Sequence, residues 1–247
     1  MRNIKLVVAY DGTAYHGFQE QKGTGLPTVQ EELEKKVTIL AGKRVQVFGS
    51  GRTDAGVHAQ GQVVNFEIHD GGIPTDRIPL ALNGMLPFDI AALSAEDVPN
   101  DFHARFSAKM KEYRYTIYNS RIPNPLLHRY SYFFPKPLDF RAMQQAAAYL
   151  EGIHDFAAFK ADGVPVKDTV RNLFEIKIGH RENLVDFIFR GEGFLHHMVR
   201  ILTGTLLDVG IKRYPPMAIQ EIINSRDRTR AGATVPPQGL FLMRVYY

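Results

Sequence analysis

The chain has 247 residues, 45% of them hydrophobic, enough to bury a core for one large domain or two small ones. There is no Cys, which excludes a disulfide framework and a thiolate metal site, and no apolar run approaches the length of a membrane span. The Met-Arg-Asn start is followed at once by a strand pattern and leaves no room for a signal peptide, so a soluble cytoplasmic protein is expected. A formal charge of +4 and a pI near 9.2 fit many ordinary enzymes; the distribution says more. Between positions 102 and 121, Arg105, Lys109, Lys111, Arg114 and Arg121 are opposed only by Glu112. Between 196 and 230, Arg200, Lys212, Arg213, Arg226, Arg228 and Arg230 are opposed by Asp208, Glu221 and Asp227. Folded onto one face, such clusters attract a polyanion such as nucleic acid; spread apart, they are ordinary solvated surface.

In chain order, residues 4–10 are rich in β-branched side chains and stop at Asp11-Gly12, a strand followed by a turn. The polar loop 13–27 contains Tyr15-His16-Gly17-Phe18-Gln19-Glu20-Gln21, a mixture suited either to touching bases or to packing the loop down. Thr28-Val29-Gln30-Glu31 matches a capping box, and Val29, Leu33, Val37 and Leu40 keep helical spacing up to Gly42. Strands are expected over 45–48, 62–68 and 89–94, with a short helix over 75–83 after Pro74. The first half thus runs β-α-β-β-α-β, and rising polarity near Pro99-Asn100-Asp101 places the join between halves there, giving domains 1–101 and 102–247 with 102–107 as the link.

The same order then repeats with insertions. A strand covers 111–119, an alanine-rich helix capped by Asp139 covers 139–151, and 170–179 with 184–189 form a hairpin around Glu182-Asn183. A helix over 194–209, a further helix opened by Pro215-Pro216 and a last strand over 240–246 complete it. Each half matches the ferredoxin-like split βαβ plan, so the expected fold class is α+β: two related halves with joined, mainly antiparallel sheets and a central cleft. The plan is duplicated, but no position-by-position repeat is visible.

The stretch with most chemical promise lies between two strand-like runs: Gly49-Ser50-Gly51-Arg52-Thr53-Asp54-Ala55-Gly56-Val57-His58. Asp54 sits there on a glycine-rich loop held by strands, which is how catalytic groups are often presented, although a surface Asx turn is the commoner use of Asp beside Gly. Metal chemistry is discounted: His-Glu-x-x-His is absent, and His196-His197, adjacent on the expected helix, should diverge by roughly 100°. No P-loop or dinucleotide fingerprint occurs, and Ser50 lies outside any nucleophile-elbow pattern. On the strand 111–119, Tyr113, Tyr115 and Ile117 share one face, available either to the core or to a stacked base. Arg200 is of interest because an Arg in a cleft keeps an Asp ionised, as a nucleophile or base requires.

These motifs, taken together, resemble the tRNA pseudouridine synthases of the TruA type. The pattern is carried by Tyr10-Asp11-Gly12 with Gly17-Phe18-Gln19, the stretch Gly51 to His58, Asn83 with Leu86-Pro87 and Asp89-Ile90, and Phe102-His103-Ala104-Arg105. It continues through Tyr113-Arg114-Tyr115, Asp155-Phe156, Arg171, Phe194 with His196-His197-Met198-Val199-Arg200, and Gly239-Leu240, so it covers the whole chain in order. The resemblance implies the pseudouridine synthase fold and an isomerase that detaches uracil from its ribose and rejoins it through C5, at uridines 38, 39 and 40 of the tRNA anticodon arm, with no cofactor or metal. It implies Asp54 as the catalytic aspartate, acting by attack on the sugar or by removal of the 2′ proton. It likewise implies Tyr113 against the target base, Arg52 in the space left by the flipped uridine, Arg200 paired with the aspartate and Leu240 lining the base pocket. The partners it implies are tRNA and a second copy in a homodimer, with no membrane. The basic residues Arg105, Lys109, Lys111, Arg114, Arg226, Arg228 and Arg230 are then candidates for the tRNA backbone.

Two other classes fit parts of the pattern. A non-catalytic RNA-binding protein of two RRM-like units would share the element order, but the RNP1 pattern is missing. A nucleoside or glycoside hydrolase would use Asp54 with a second nearby carboxylate, which no neighbouring motif supplies.

Overall fold

The computed structural model describes residues 1–21, 25–69, 72–161 and 166–247; residues 22–24 of the expected 13–27 loop lie outside this set. The chain divides into two compact units, Met1–Lys109 with Phe241–Tyr247, and Met110–Leu240. The sequence places the join at 101 and assigns all of 102–247 to the second half. The compact units differ because the last strand pairs with the first unit, and because residues 102–107 are bolted to it.

In the first unit the elements are β1 (Arg2–Tyr10), α1 (Val29–Ala41), β2 (Phe48–Gly49), β3 (His58–Ile68), α2 (Ile78–Asn83) and β4 (Ile90–Val98), in the expected β-α-β-β-α-β order. β4 and β3 flank β1, both antiparallel to it. Ile4, Leu6, Val8 and Tyr10 alternate into the core from β1, and Val29, Leu33 and Val37 of α1 are buried as well. α1 starts where the capping box predicts. The Thr28 N–H donates to Glu31 Oε2 at 3.1 Å, the Glu31 N–H donates back to Thr28 Oγ1 at 3.4 Å, and Gly42 closes the helix at φ +67°. Two boundaries move: the strand expected over 45–48 is reduced to Phe48–Gly49, and β3 begins at His58 rather than at 62.

The free side of β3 is shared. β2 pairs antiparallel near its end, Phe48 against Asn65, and the final strand of the chain, β10 (Leu240–Tyr246), pairs parallel near its start, Phe241 against His58. Gly61 makes the close approach of β10 workable, since a Cβ there would lie 2.4 Å from the Met243 carbonyl oxygen.

The second unit contains β5 (Met110–Tyr118), β6 (Tyr132–Phe133), α3 (Phe140–Ala148), β7 (Gly152–Asp155), β8 (Val170–Arg181), β9 (Leu184–Gly191), α4 (Met198–Gly210) and α5 (Ala218–Ser225). Its strands run β5-β9-β8-β7, antiparallel throughout, with β6 parallel on β5. The hairpin turns at Glu182, whose φ of +53° is the left-handed geometry a tight turn requires. β6 and β7 escape a periodicity reading because they are only two and four residues long. No helix among the described residues is long and apolar enough to cross a membrane.

The helix expected over 194–209 begins instead at Met198. His197 takes the left-handed conformation, φ +60°, and closes the preceding turn, where the Met198 N–H donates to the Leu195 carbonyl. Leu195, Met198 and Val199 are all buried, so a turn and a helix give the same apolar spacing here. Once past the turn α4 is buried on nearly every side, with Gly204 so close to the next segment that a Cβ would lie 1.9 Å from the Ala233 carbonyl oxygen.

Two stability outcomes follow. Thr28→Ala removes the capping box and should cost about 1 kcal/mol, read as a lower urea midpoint with unchanged slope. Gly12→Ala should cost about 2 kcal/mol or more, seen as a drop of several degrees in the melting temperature, because the added Cβ would lie 2.0 Å from the Val57 carbonyl oxygen.

Candidate active site

Asp54 lies on the loop between β2 and β3, half-buried, with exposed Arg52 two residues before it. The residues around Asp54 anchor the loop: Thr53, Val57 and His58 are buried. Tyr10 OH and Thr53 Oγ1 lie 2.8 Å apart, and burial pushes the Tyr10 phenol above its usual range, so it stays protonated and this bond persists across working pH. The Phe18 N–H donates to the Thr53 carbonyl at 3.2 Å, and the Gly56 N–H donates to the Tyr15 carbonyl at 3.3 Å. The loop also closes on itself, the Val57 N–H donating to the Asp54 carbonyl at 3.1 Å.

Two glycines let the 11–18 segment sit directly behind the loop. A Cβ on Gly17, which has φ +88°, would lie 2.4 Å from the Thr53 carbonyl oxygen, and Gly12 presses on Val57 in the same way. Tyr15 and Phe18 are buried, so the aromatic stretch 15–21 packs the loop down, while His16 and Gln19 face solvent. Tyr15 OH donates to Asp89 Oδ1 at 2.7 Å, which gives the Asp89-Ile90 motif a supporting task. His58 is held from two sides. Its Nδ1 accepts from the Gly12 N–H at 3.0 Å and lies 3.1 Å from Asp11 Oδ1, and its ring stacks on Phe241 at 4.7 Å. Ser50 is fully buried and donates to Gln62 Oε1 at 2.6 Å, which removes it as a nucleophile and makes it part of the frame. Sequence reasoning placed Tyr10 at a strand end, Gly12 in a turn and Gly17 in a polar loop, and named them again through the family pattern; their contact with the Asp54 loop is not visible along the chain.

In the second unit, Tyr113 is buried on β5 opposite Phe189 and meets Phe194 edge to face, ring centroids 5.0 Å apart. Arg200 stands in the first turn of α4 and donates through Nε to the Val235 carbonyl at 2.8 Å. One residue on, the Pro236 carbonyl accepts from Tyr115 OH at 2.7 Å. Burial, opposed by the Arg200 charge, pushes the Tyr115 phenol well up, so it too remains a donor. Gly239 then passes so close to β5 that a Cβ would lie 2.8 Å from the Thr116 carbonyl oxygen, and Leu240 follows, buried. Arg200 and Tyr115 thus fix the approach to Leu240, a role that sequence reasoning missed. His196 and His197 do not diverge as helical neighbours would: both precede the helix, with ring centroids 3.9 Å apart. The helical-spacing argument used to discount them as ligands therefore falls.

The basic residues are placed unequally. Arg105 and Lys109 are exposed on the first unit; Lys111 and Arg114 are half-buried on β5. Arg226 pairs with Asp155 at 2.9 Å, Arg230 with Glu221 at 3.3 Å, and Arg228 donates to the carbonyls of Ala231 and Gly232 and to Thr234. Arg228 in particular staples the 231–234 segment, work that a count of charges does not reveal.

Comparison with known proteins agrees with this arrangement of motifs. Residues 6–107 and 146–247 match the family described as "tRNA pseudouridine synthase". The chain is 49% identical over 247 residues to a tRNA pseudouridine synthase A of Acetivibrio thermocellus, covering all of both chains. It is 48% identical over 244 residues to one of Moorella thermoacetica, covering 99% of each. A solved "Cbf5-Nop10-Gar1 Complex" gives a TM-score of 0.37 at 15% identity, over 83% of this chain and 45% of that one. With a family match across both halves and full-length relatives at nearly half identity, the chain belongs to the tRNA pseudouridine synthases, which are isomerases.

Proposed function

We propose that the chain converts uridine to pseudouridine at positions 38, 39 and 40 of the tRNA anticodon stem-loop, with Asp54 as the catalytic group. The observation that carries this is the setting of Asp54: a half-buried carboxylate on a loop anchored by buried Thr53, Val57 and His58, hydrogen-bonded and backed by glycine-to-backbone contact. A reacting group held this way needs no reorganisation when substrate arrives.

The bond change is balanced. The N1–C1′ bond breaks, a C5–C1′ bond forms, C5 loses a proton and N1 gains one, so no redox partner or added atom is required. Departure of uracil leaves C1′ electron-poor, and a carboxylate either captures it covalently or, by taking the 2′ proton, yields a glycal to which uracil re-adds. Tyr113, Arg52, Arg200 and Leu240 are the proposed substrate-binding residues: an aromatic face for the base, two guanidinium groups for charge and for the vacated space, and an apolar wall. The target must leave the stack, because C1′ is inaccessible inside a stem, and binding must offset a flipping cost of a few kcal/mol. Contacts to the tRNA backbone supply that binding, with the exposed Arg105 and Lys109 the more available cations; a homodimer with one tRNA touching both copies, in the cytoplasm, completes the reading.

Asp54→Asn should lower pseudouridine formation on undermodified tRNA by about 10³-fold or more, with an unchanged melting temperature, when the product is mapped by carbodiimide labelling and primer extension. Full activity in this variant overturns the assignment. Binding of the same tRNA should weaken linearly in log affinity against log salt, and Lys109→Ala should reduce the slope by about 1. A slope near zero in the wild type removes the backbone-contact reading.

A further inference from the structure

Three side chains of the first unit form an aromatic ladder that the chemistry at Asp54 does not use. Phe48, at the start of β2, lies 5.2 Å from the His103 ring, and His103 lies 4.4 Å from the Phe106 ring, centroid to centroid. Its two ends are exposed, Phe48 by 38% and Phe106 by 77%, with His103 half-buried between them. Arg105, also exposed, sits with its guanidinium 5.7 Å from the Phe106 centroid. From Phe102 to Lys109 the segment contains Arg105 and Lys109 and no acid.

An exposed Phe on a loose loop would mean little. This one is rigidly mounted. The 103–107 turn is closed by three hydrogen bonds: the Ser107 N–H to the His103 carbonyl at 2.9 Å, the His103 N–H to Ser107 Oγ at 3.1 Å, and the Arg105 N–H to His103 Nδ1 at 3.1 Å. Beneath it, buried Asn65 accepts from the Ala104 N–H at 2.9 Å, and buried Asn3 donates to the Phe102 carbonyl at 2.9 Å. The two amides bond to each other at 3.1 Å, and Tyr247 OH donates to the Ala104 carbonyl at 2.8 Å. Asn65 is also the backbone partner of Phe48. One buried residue therefore fixes both ends of the ladder, and β2 leads directly from it into the Asp54 loop.

Buried polar groups are costly unless fully bonded, so a network spent on holding a large apolar ring in water calls for a ligand that covers the ring. The ligand must be flat, to lie on Phe106, and attached to anionic charge, to suit Arg105 and Lys109. We infer that Phe106, backed by His103 and Phe48 and flanked by Arg105, is a stacking platform for an unpaired nucleobase of the RNA substrate, outside the pocket that takes the target uridine. This rests on the tRNA reading above. Aromatic platforms beside cations are how proteins hold unpaired nucleotides without reading their sequence, and one here would grip the loop of the substrate while a neighbouring uridine is turned out. Phe106 is a positioning residue and touches no reacting atom.

The chain contains no Trp, which makes the test direct. F106W introduces the sole indole at the platform, combined with Asp54→Asn to prevent turnover. Titration with an undermodified tRNA transcript should quench its emission in step with binding followed by anisotropy of labelled tRNA. In the otherwise wild-type enzyme, Phe106→Ala should raise KM for tRNA about tenfold with kcat within about twofold, Phe106→Leu should match it, and F106W should restore the original KM. Unquenched emission while tRNA binds, or an unchanged KM in Phe106→Ala, overturns the platform and leaves the enzyme assignment standing. Failure of the wild type to bind tRNA at all removes the substrate reading first and the platform with it.

Discussion

Contact between bare backbones behind the Asp54 loop is the constraint on which the first unit turns. Gly12 and Gly17 allow the segment after β1 to lie against the carbonyls of Val57 and Thr53 at distances no side chain would permit. Everything that steadies Asp54 follows from this approach: the Tyr10–Thr53 bond, the Phe18 and Tyr15 backbone bonds, and the seat of His58 against Gly12. A loop held through its backbone keeps its position whatever its side chains do, which suits the substrate roles proposed for Arg52 and Asp54. The same device recurs in the second unit, where Gly204 and Gly239 allow α4 and β5 to be crossed closely by the segment that ends at Leu240. Both units therefore spend glycines where chain must meet chain, and spend charged and aromatic side chains elsewhere.

The element order was legible because it depends on local signals. Thr28 and Glu31 announce α1 by themselves, Asp139 accepts from the Ala142 N–H as an N-cap should, and the Glu182-Asn183 turn follows from the two apolar runs it separates. What a one-dimensional reading lacks is pairing. That β10 belongs with β3 depends on Gly61 being opposite Met243, far away in sequence, and nothing in residues 240–246 states which neighbour they take. The helix start at Met198 shows a subtler limit: Leu195, Met198 and Val199 are buried at helical intervals whether or not the backbone between them is helical.

The candidate site divides along the same line. Asp54, Tyr113 and Arg200 are singled out by residue type and pattern, and the family resemblance gives them roles, whereas what holds them in place is not legible, because a support is defined by what it touches. Asn65 is an ordinary strand residue in sequence; in the fold it joins β2, the 103–107 turn and Asn3. Arg228 looks like a nucleic-acid contact by charge and proves to hold a loop through two carbonyls and a hydroxyl. Charge counting finds cations; only hydrogen-bond accounting shows which are occupied at home.

The pairing of β10 with β3 has a consequence for how the protein is made. Residues 241–247 leave the ribosome after all of 110–240, yet they complete the sheet begun by residues 2–10 and supply Phe241 to the ring of His58. A nascent chain can assemble β1, β4 and most of β3 early, while the base of the Asp54 loop waits for one late strand. The order of synthesis thus withholds a finished Asp54 loop until the residues of the second unit have been made.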